Sequence, residues 1–344
     1  MPTTLPRCAG ALTLILLVML VLVFHVSPAR AQQPAAPPTD GTLPRRPARR
    51  FCWKRARPLR LMRPAGDPSH SAADPTWIVK NLFELKHARN VTIDSNVMEY
   101  TWGGQGQDGY AVLLTVYGTD TLEDIQFTNN IVRHAAYALQ FKNSGPRAKR
   151  ITVRNNLFED IDGDRWFAPN LATGHFLNFN DGLDGLTVDH NTVFQTDNVV
   201  SVTGGDTTKQ TTGFVFTNNL MAHNEYGVRG SGAGITSGYS TLQVYFPSYV
   251  FLRNLIAGAN LNDYPGNNFY PAVLDDARFV DRLGGDYRLA AFSPYRNQGT
   301  DGKDIGCDIL QLHAAVGIPN GASNLIMWWR DGARMAINIL TSLT

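Results

Sequence analysis

One pattern recurs six times in this chain. The segments are VTIDSNVMEY (91–100), IQFTNNIVRH (125–134), ITVRNNLFED (151–160), LTVDHNTVFQ (186–195), FVFTNNLMAH (214–223) and YVFLRNLIAG (249–258). Each reads apolar-x-apolar-x-x-Asn, and in all but one two apolar residues follow; the exception has Thr192 before Val193. The aligned asparagines are Asn96, Asn130, Asn156, Asn191, Asn219 and Asn254, spaced 34, 26, 35, 28 and 35 residues apart. Self-similarity at such a period marks a repeat architecture. Most units carry a second short strand, as in YAVLLTVYG (110–118), YALQFKNSG (137–145), HFLNFNDG (175–182) and NVVSVTGG (198–205). Alternation of apolar and polar residues means strand, not helix. No amphipathic helix separates the strands, which excludes a doubly wound α/β sheet. One unit of about three short strands cannot bury its apolar face alone, so the units must stack into parallel sheets around one interior. Successive coils then rise ~4.8 Å. One Asn per coil, at an inward turn, can bond the turn backbone and its counterparts above and below as a ladder.

Composition narrows the setting. Of 344 residues, 17% are charged, 43% hydrophobic and 31 are Gly, which is neither a disordered nor a collagen-like chain. Cys8, Cys52 and Cys307 are too few for a disulfide scaffold or a four-cysteine zinc site. The net charge of +2 hides an asymmetry. Residues 1–76 hold 11 of the 31 basic and 3 of the 29 acidic residues, leaving 20 basic and 26 acidic in 77–344. A mildly acidic body argues against a nucleic-acid partner.

Residues 1–31 read as an export signal: Arg7, an apolar run from Ala9 to Phe24, and Ala29-Arg30-Ala31 before Gln32. Its removal leaves no stable membrane insertion and places the product outside the cell, in a periplasm or at the cell surface. Residues 32–76 are rich in Pro, Ala and Arg and read as a linker or a degraded N-terminal region; 41–66 contain no acid and are weighed as the scar of lost coils. The repeats occupy 77–310, and 311–344 form a tail with LIMWWRDGARMAINIL (325–340) as a capping helix.

The repeated ITVRNNLFED-type segments, with the ending DYRLAAFSPYRNQGTDGKDIGCDI (286–309) read as a closing coil, resemble the right-handed parallel β-helix family, the pectin-lyase-like superfamily. The resemblance covers roughly 77–310. It implies an all-β, right-handed, single-stranded parallel β-helix and an extracellular polysaccharide as ligand, cleaved by a lyase or a hydrolase. It carries no catalytic residue across. Gly174-His175 is followed by Phe176 where polygalacturonase-like enzymes need a second Gly, and no Arg-x-Lys follows. Asp189-His190 resembles the pectate-lyase-like Asp-His, but the partner Arg-x-Pro-x-x-Arg motif is missing.

The register of the repeat gives candidates instead. Three positions after the ladder Asn stand Glu99, Arg133 and Glu159, a column of alternating charge that is read as a solvated ladder as well as a site. Four positions after stand Tyr100, His134, Asp160, Gln195 and His223. In register, neighbours lie ~5 Å apart, so His134 should sit between Tyr100 and Asp160 and keep Asp160 ionised. Two insertions follow this column, TWGGQGQD (101–108) and DGDRWFAPNLAT (162–173), and should wall a groove in which Trp102, Trp166 and Phe167 stack on sugar rings beside Asp162 and Arg165. EDIDGDRW (159–166) also carries a calcium reading, with Asp160, Asp162 and Asp164 at alternate positions, although the Gly is misplaced and Leu171 replaces the closing glutamate.

These residues suggest a monomer acting on a glycan. A lyase would use His134 or Tyr100 as base and Arg133 or Arg165 as the cation that neutralises a sugar carboxylate. A hydrolase would pair Asp160 with Asp162 or Glu159. Glu99, Glu159, Trp102, Trp166, Phe167 and His223 would hold the substrate. The competing expectation is a glycan-binding or structural solenoid without catalysis.

Overall fold

The computed structural model describes residues 79–101, 103, 106–167, 173–203, 206–232 and 238–318, with the backbone of Phe51–Cys52. The segment read as an export signal and the capping helix expected at 325–340 lie outside the described residues, as does nearly all of 32–76. The described body is a parallel β-helix solenoid of three sheets. The first stacks Phe51–Cys52, Ala88–Asp94, Leu122–Thr128, Lys149–Arg154, Asp184–Asp189, Thr212–Thr217 and Val250–Leu252. The second stacks Val97–Glu99, Ile131–Ala135, Leu157–Ile161, Thr192–Gln195, Leu220–Ala222 and Leu255–Ala257. The third stacks Phe83–Leu85, Tyr110–Tyr117, Tyr137–Ser144, Leu177–Phe179, Val200–Val202 and Val228–Gly230. Coils one to six are counted from Ala88, each beginning on the first sheet.

Like residues sit over like. Ile93, Phe127, Val153, Val188, Phe216 and Phe251 pair in one inward row of the first sheet. Met98, Val132, Phe158, Val193, Met221 and Ile256 do the same in the second. Between these sheets runs the asparagine ladder. From Asn130 onward each Oδ1 accepts from the main-chain N–H and the Nδ2 of the Asn one coil below, for example Asn130 to Asn156 at 2.8 and 3.1 Å. Each Nδ2 also donates to a main-chain carbonyl, as Asn156 does to Phe127 at 3.0 Å. The ladder gains a seventh rung: Asn268 accepts from Asn254, although no repeat segment surrounds it.

Each coil bends through left-handed residues. The position before the ladder Asn is occupied by Ser95, Asn129, Asn155, His190, Asn218 and Arg253, with φ between 51° and 61°. The position six before it is Asn90, Asp124, Arg150, Gly185, Gly213 or Ser248, also at positive φ. A left-handed conformation costs an ordinary residue roughly 1–2 kcal/mol, least for Gly, Asn and Asp, which explains much of the residue choice at these bends.

The C-terminal part corrects the sequence reading. Of the two apolar residues after each ladder Asn, the second faces the interior, whereas the first (Ile131, Leu157, Leu220, Leu255) faces outward and yet is buried. Residues 274–318 cover it. The segment 286–309 is not a closing coil but a strap running back along the outside of the second sheet. Gly306 N donates to Asn218 O in coil five at 2.8 Å, Cys307 N to Thr192 Oγ1 in coil four at 3.0 Å, and Asp308 N to Asn155 Oδ1 in coil three at 2.7 Å. The helix Ile309–Val316 follows, capped by Asp308, and Ile309 and Leu312 pack with Ile131 and Leu157. His190 and Asp301 join strap to coil at 3.1 Å. Within the coils, the helix Gly238–Tyr245 sets Leu242, Tyr245 and Phe246 into the core behind coil five.

Candidate functional site

The bend from the second sheet to the third carries the candidate residues. In coils one to three the chain bulges there. Glu99, Arg133 and Glu159 are paired across the sheet, then Ala135 pairs with Ile161, so that His134 and Asp160 are left out of the ladder. Tyr100, His134 and Asp160 accordingly adopt φ of 70°, 57° and 53°. A left-handed Tyr is uncommon, whereas His and Asp enter this region more readily.

The column forms as its register requires. His134 Nδ1 lies 2.7 Å from Asp160 Oδ2, and the rings of Tyr100 and His134 stack with centroids 4.8 Å apart. The second insertion closes on this pair. The helix Gly163–Trp166 brings Trp166 Nε1 to Asp160 Oδ2 at 3.1 Å and Arg165 Nη1 to Asp160 Oδ1 at 3.1 Å. Burial opposes ionisation of Asp160, but the hydrogen bond and charge of His134, with Arg165 and Trp166, outweigh it and hold the carboxyl below its usual range. Burial, with the charge of Glu99, raises the Tyr100 hydroxyl above its ordinary value. Among the described residues His134 Nε2 has no hydrogen-bond partner, and the side chain is 21% exposed. A neutral imidazole that donates Nδ1–H to a carboxylate presents Nε2 as a base.

The two insertions meet. The Phe167 ring occupies the space that a side chain on Gly103 would fill. The Trp166 ring lies edge-on to Tyr100 at 5.7 Å, and the Arg165 guanidinium lies over it at 4.9 Å. Trp166 is 5% exposed, so its place is among the residues that hold the dyad, not on an open sugar platform. Phe167 is half-buried, Arg165 is 48% exposed, and Trp102 lies outside the described residues.

Several expectations are corrected. The Glu99-Arg133-Glu159 column is not solvated: Arg133 is buried, bonded to Glu99 and 3.9 Å from Glu159, whose other oxygen accepts from Tyr287 Oη at 2.6 Å. The covering strap supplies Tyr287, so Arg133 is spent on its two neighbours and is not presented to a ligand. Asp162 caps its helix, accepting from Arg165 N at 3.1 Å. His223 does not join the column. Coil four lacks the bulged residue, since Ile161 pairs directly with Gln195, and Gln195 turns inward to bond Ala222 O at 2.7 Å. His223 instead bonds Asn224 O at 2.9 Å and packs edge-on to Tyr264. Asp160 and Asp162 are spent on protein donors, and among the described residues no three His, Cys, Asp or Glu converge as a metal site, so the calcium reading loses its donor set.

A second group on the same bend was not recognised in the sequence. Tyr110 and Tyr137 start successive strands of the third sheet, and His175, two residues before the next strand, stands in the same row; the Tyr110 and Tyr137 rings stack at 4.7 Å, and His175 packs 5.2 Å from Tyr137. His175 Nδ1 lies 3.0 Å from Asp197 Oδ2, repeating one coil later the His134–Asp160 pairing. Burial works against the Asp197 charge, but bonds from His175 and Thr173 prevail and its carboxyl is lowered. The one available signal was that each partner stands on the coil after its histidine.

Among the described residues no helix is long and apolar enough to cross a membrane. In comparisons with known proteins the chain matches no family model, no curated protein and no solved structure.

Proposed function

We propose that this protein is an exported polysaccharide lyase of the pectin-lyase-like kind, acting on uronic-acid glycans. The observation that carries the reading is the His134–Asp160 contact of 2.7 Å on this bend, with no hydrogen-bond partner for Nε2 among the described residues. In this reading His134 Nε2 removes the proton beside the sugar carboxylate. Asp160 is a positioning residue: it fixes the imidazole tautomer and offsets the charge that develops on the ring. Arg165, the exposed cation of the group, neutralises the substrate carboxylate and so favours the enolate-like transition state. The hydrolase alternative is less well supported. It needs one carboxylate ready to attack or activate water and another ready to donate a proton, whereas Asp160 accepts from three protein donors, Asp162 caps a helix and Glu159 holds Tyr287.

The test is the absorbance of unsaturated uronides released from pectin, alginate and glycosaminoglycan by the full exported chain. His134→Ala should lower kcat at least ~100-fold, the usual worth of a general base. Arg165→Ala should lower kcat as well as raise KM, because its contact with the carboxylate strengthens as charge develops in the transition state. Unchanged turnover in His134→Ala removes the site. New reducing ends without absorbance favour a hydrolase, and binding without product favours a non-catalytic glycan-binding solenoid.

A further inference from the structure

Elimination needs an acid as well as a base, since the departing glycosidic oxygen must gain a proton. Tyr100 has its ring against His134 itself, and Asp160 accepts from three donors. The other titratable group at this bend centres on Tyr137. Coil two has no insertion: Ala136 alone separates the strand that ends at Ala135 from the one that starts at Tyr137. His134 and Tyr137 are therefore three residues apart on one short turn, at most ~11 Å between their Cα atoms. The long insertions rise from coils one and three on either side of it.

We propose that Tyr137 is a second catalytic residue of this corner, its hydroxyl giving the proton to the leaving oxygen, with His175, Asp197 and Thr173 as positioning residues. The inference rests on the lyase reading above and deepens it. Tyr137 Oη accepts from Thr173 N at 3.3 Å, so its own proton is not needed for that bond. The same N–H points at the oxygen on which charge appears as the proton leaves. Thr173 is held in turn: its hydroxyl lies 3.3 Å from His175 Nε2, its carbonyl accepts from Thr196 Oγ1 at 2.9 Å, and His175 is fixed by Asp197 at 3.0 Å. Burial raises the Tyr137 hydroxyl above its ordinary value, and the bonds from Thr173 work against that rise.

The step balances. His134 Nε2 takes the proton from the carbon beside the carboxylate. The C–H electron pair becomes the new carbon–carbon double bond. The bond to the glycosidic oxygen breaks, its pair leaves with the oxygen, and that oxygen takes the Tyr137 proton. Water then carries the proton of His134 back to the Tyr137 oxygen.

The test uses Tyr137→Phe, which keeps the ring and its stacking, and two substrates. One is whichever of pectin, alginate or glycosaminoglycan yields unsaturated uronide with the unmodified chain. The other is the same uronic acid with fluoride in place of the linked sugar, because fluoride departs without a proton. The expected result is a kcat at least ~100-fold lower on the polymer and within about threefold of the unmodified chain on the fluoride, with His175→Asn following the same split less steeply. His134→Ala should lose both substrates. Tyr137→Phe that loses neither, or both alike, overturns the acid role while the lyase reading stands. Failure of the unmodified chain on all three polymers, or unchanged turnover in His134→Ala, overturns both.

Discussion

The side chain of Asn156 makes the fold's central contact in miniature. It accepts from the amide and side chain of Asn130, and donates to Phe127 O and to Asn191 Oδ1, in a fully buried position. A buried group left without its partner costs ~1–3 kcal/mol, and Asn156→Ala leaves several. The expected loss is more than ~3 kcal/mol in urea unfolding, against ~1 kcal/mol for Asn96→Ala, whose Asn is only half-buried. Equal losses for the two would contradict a cooperative ladder. Asp160 offers a charge-based test. Its carboxyl is lowered in the folded state, so its stabilising contribution is complete at neutral pH and disappears as pH falls through that lowered value. The stability difference between the unmodified chain and Asp160→Asn should therefore shrink below about pH 4, near the unfolded carboxyl value; a constant gap across the acid range would count against the lowered carboxyl.

At the scale of elements, the bend matters more than the strands it joins. Strand segments could be read directly because their alternation is set by the two faces of a sheet. The bulge that presents His134 and Asp160 could also be anticipated, because the same count from the ladder Asn applies in coils one to three. It fails at coil four, where one residue fewer brings Gln195 into the ladder and strands His223 elsewhere. A one-residue change in a bend is invisible to a pattern defined on strands. The insertions are likewise long enough to be seen, but their closure, with Phe167 against Gly103, depends on shapes that no spacing encodes. Gly103→Val should push Phe167 away and loosen the Arg165 and Trp166 contacts to Asp160. The expected readout is faster amide hydrogen exchange across 160–167, with the strands of coils four to six unchanged.

The whole molecule is a stack with a strap. Every coil but the fourth, where Thr192 stands, places an apolar residue outward after the ladder Asn on the second sheet, and the strap that ends in the helix Ile309–Val316 keeps these out of water. Its passage is narrow at Gly306, where φ is 91° and an added Cβ would lie 2.5 Å from Thr192 Oγ1. Gly306→Val should lift the strap, break the Cys307–Thr192 bond, and promote aggregation through the uncovered face, measurable by light scattering and by a lowered Tm. A soluble variant with unchanged Tm would show that the strap is dispensable. The amino-acid sequence by itself determined the stacked coils, the inward rows, the asparagine ladder and the meeting of His134 with Asp160, because all of these follow from a local pattern repeated in register. Only the tertiary structure decided the path of the strap, the burial of Arg133 beneath Tyr287, the seventh rung at Asn268 and the pairing of His175 with Asp197. Those contacts join stretches whose separation in the chain follows no period, and they are set by which surfaces the stacked coils leave uncovered.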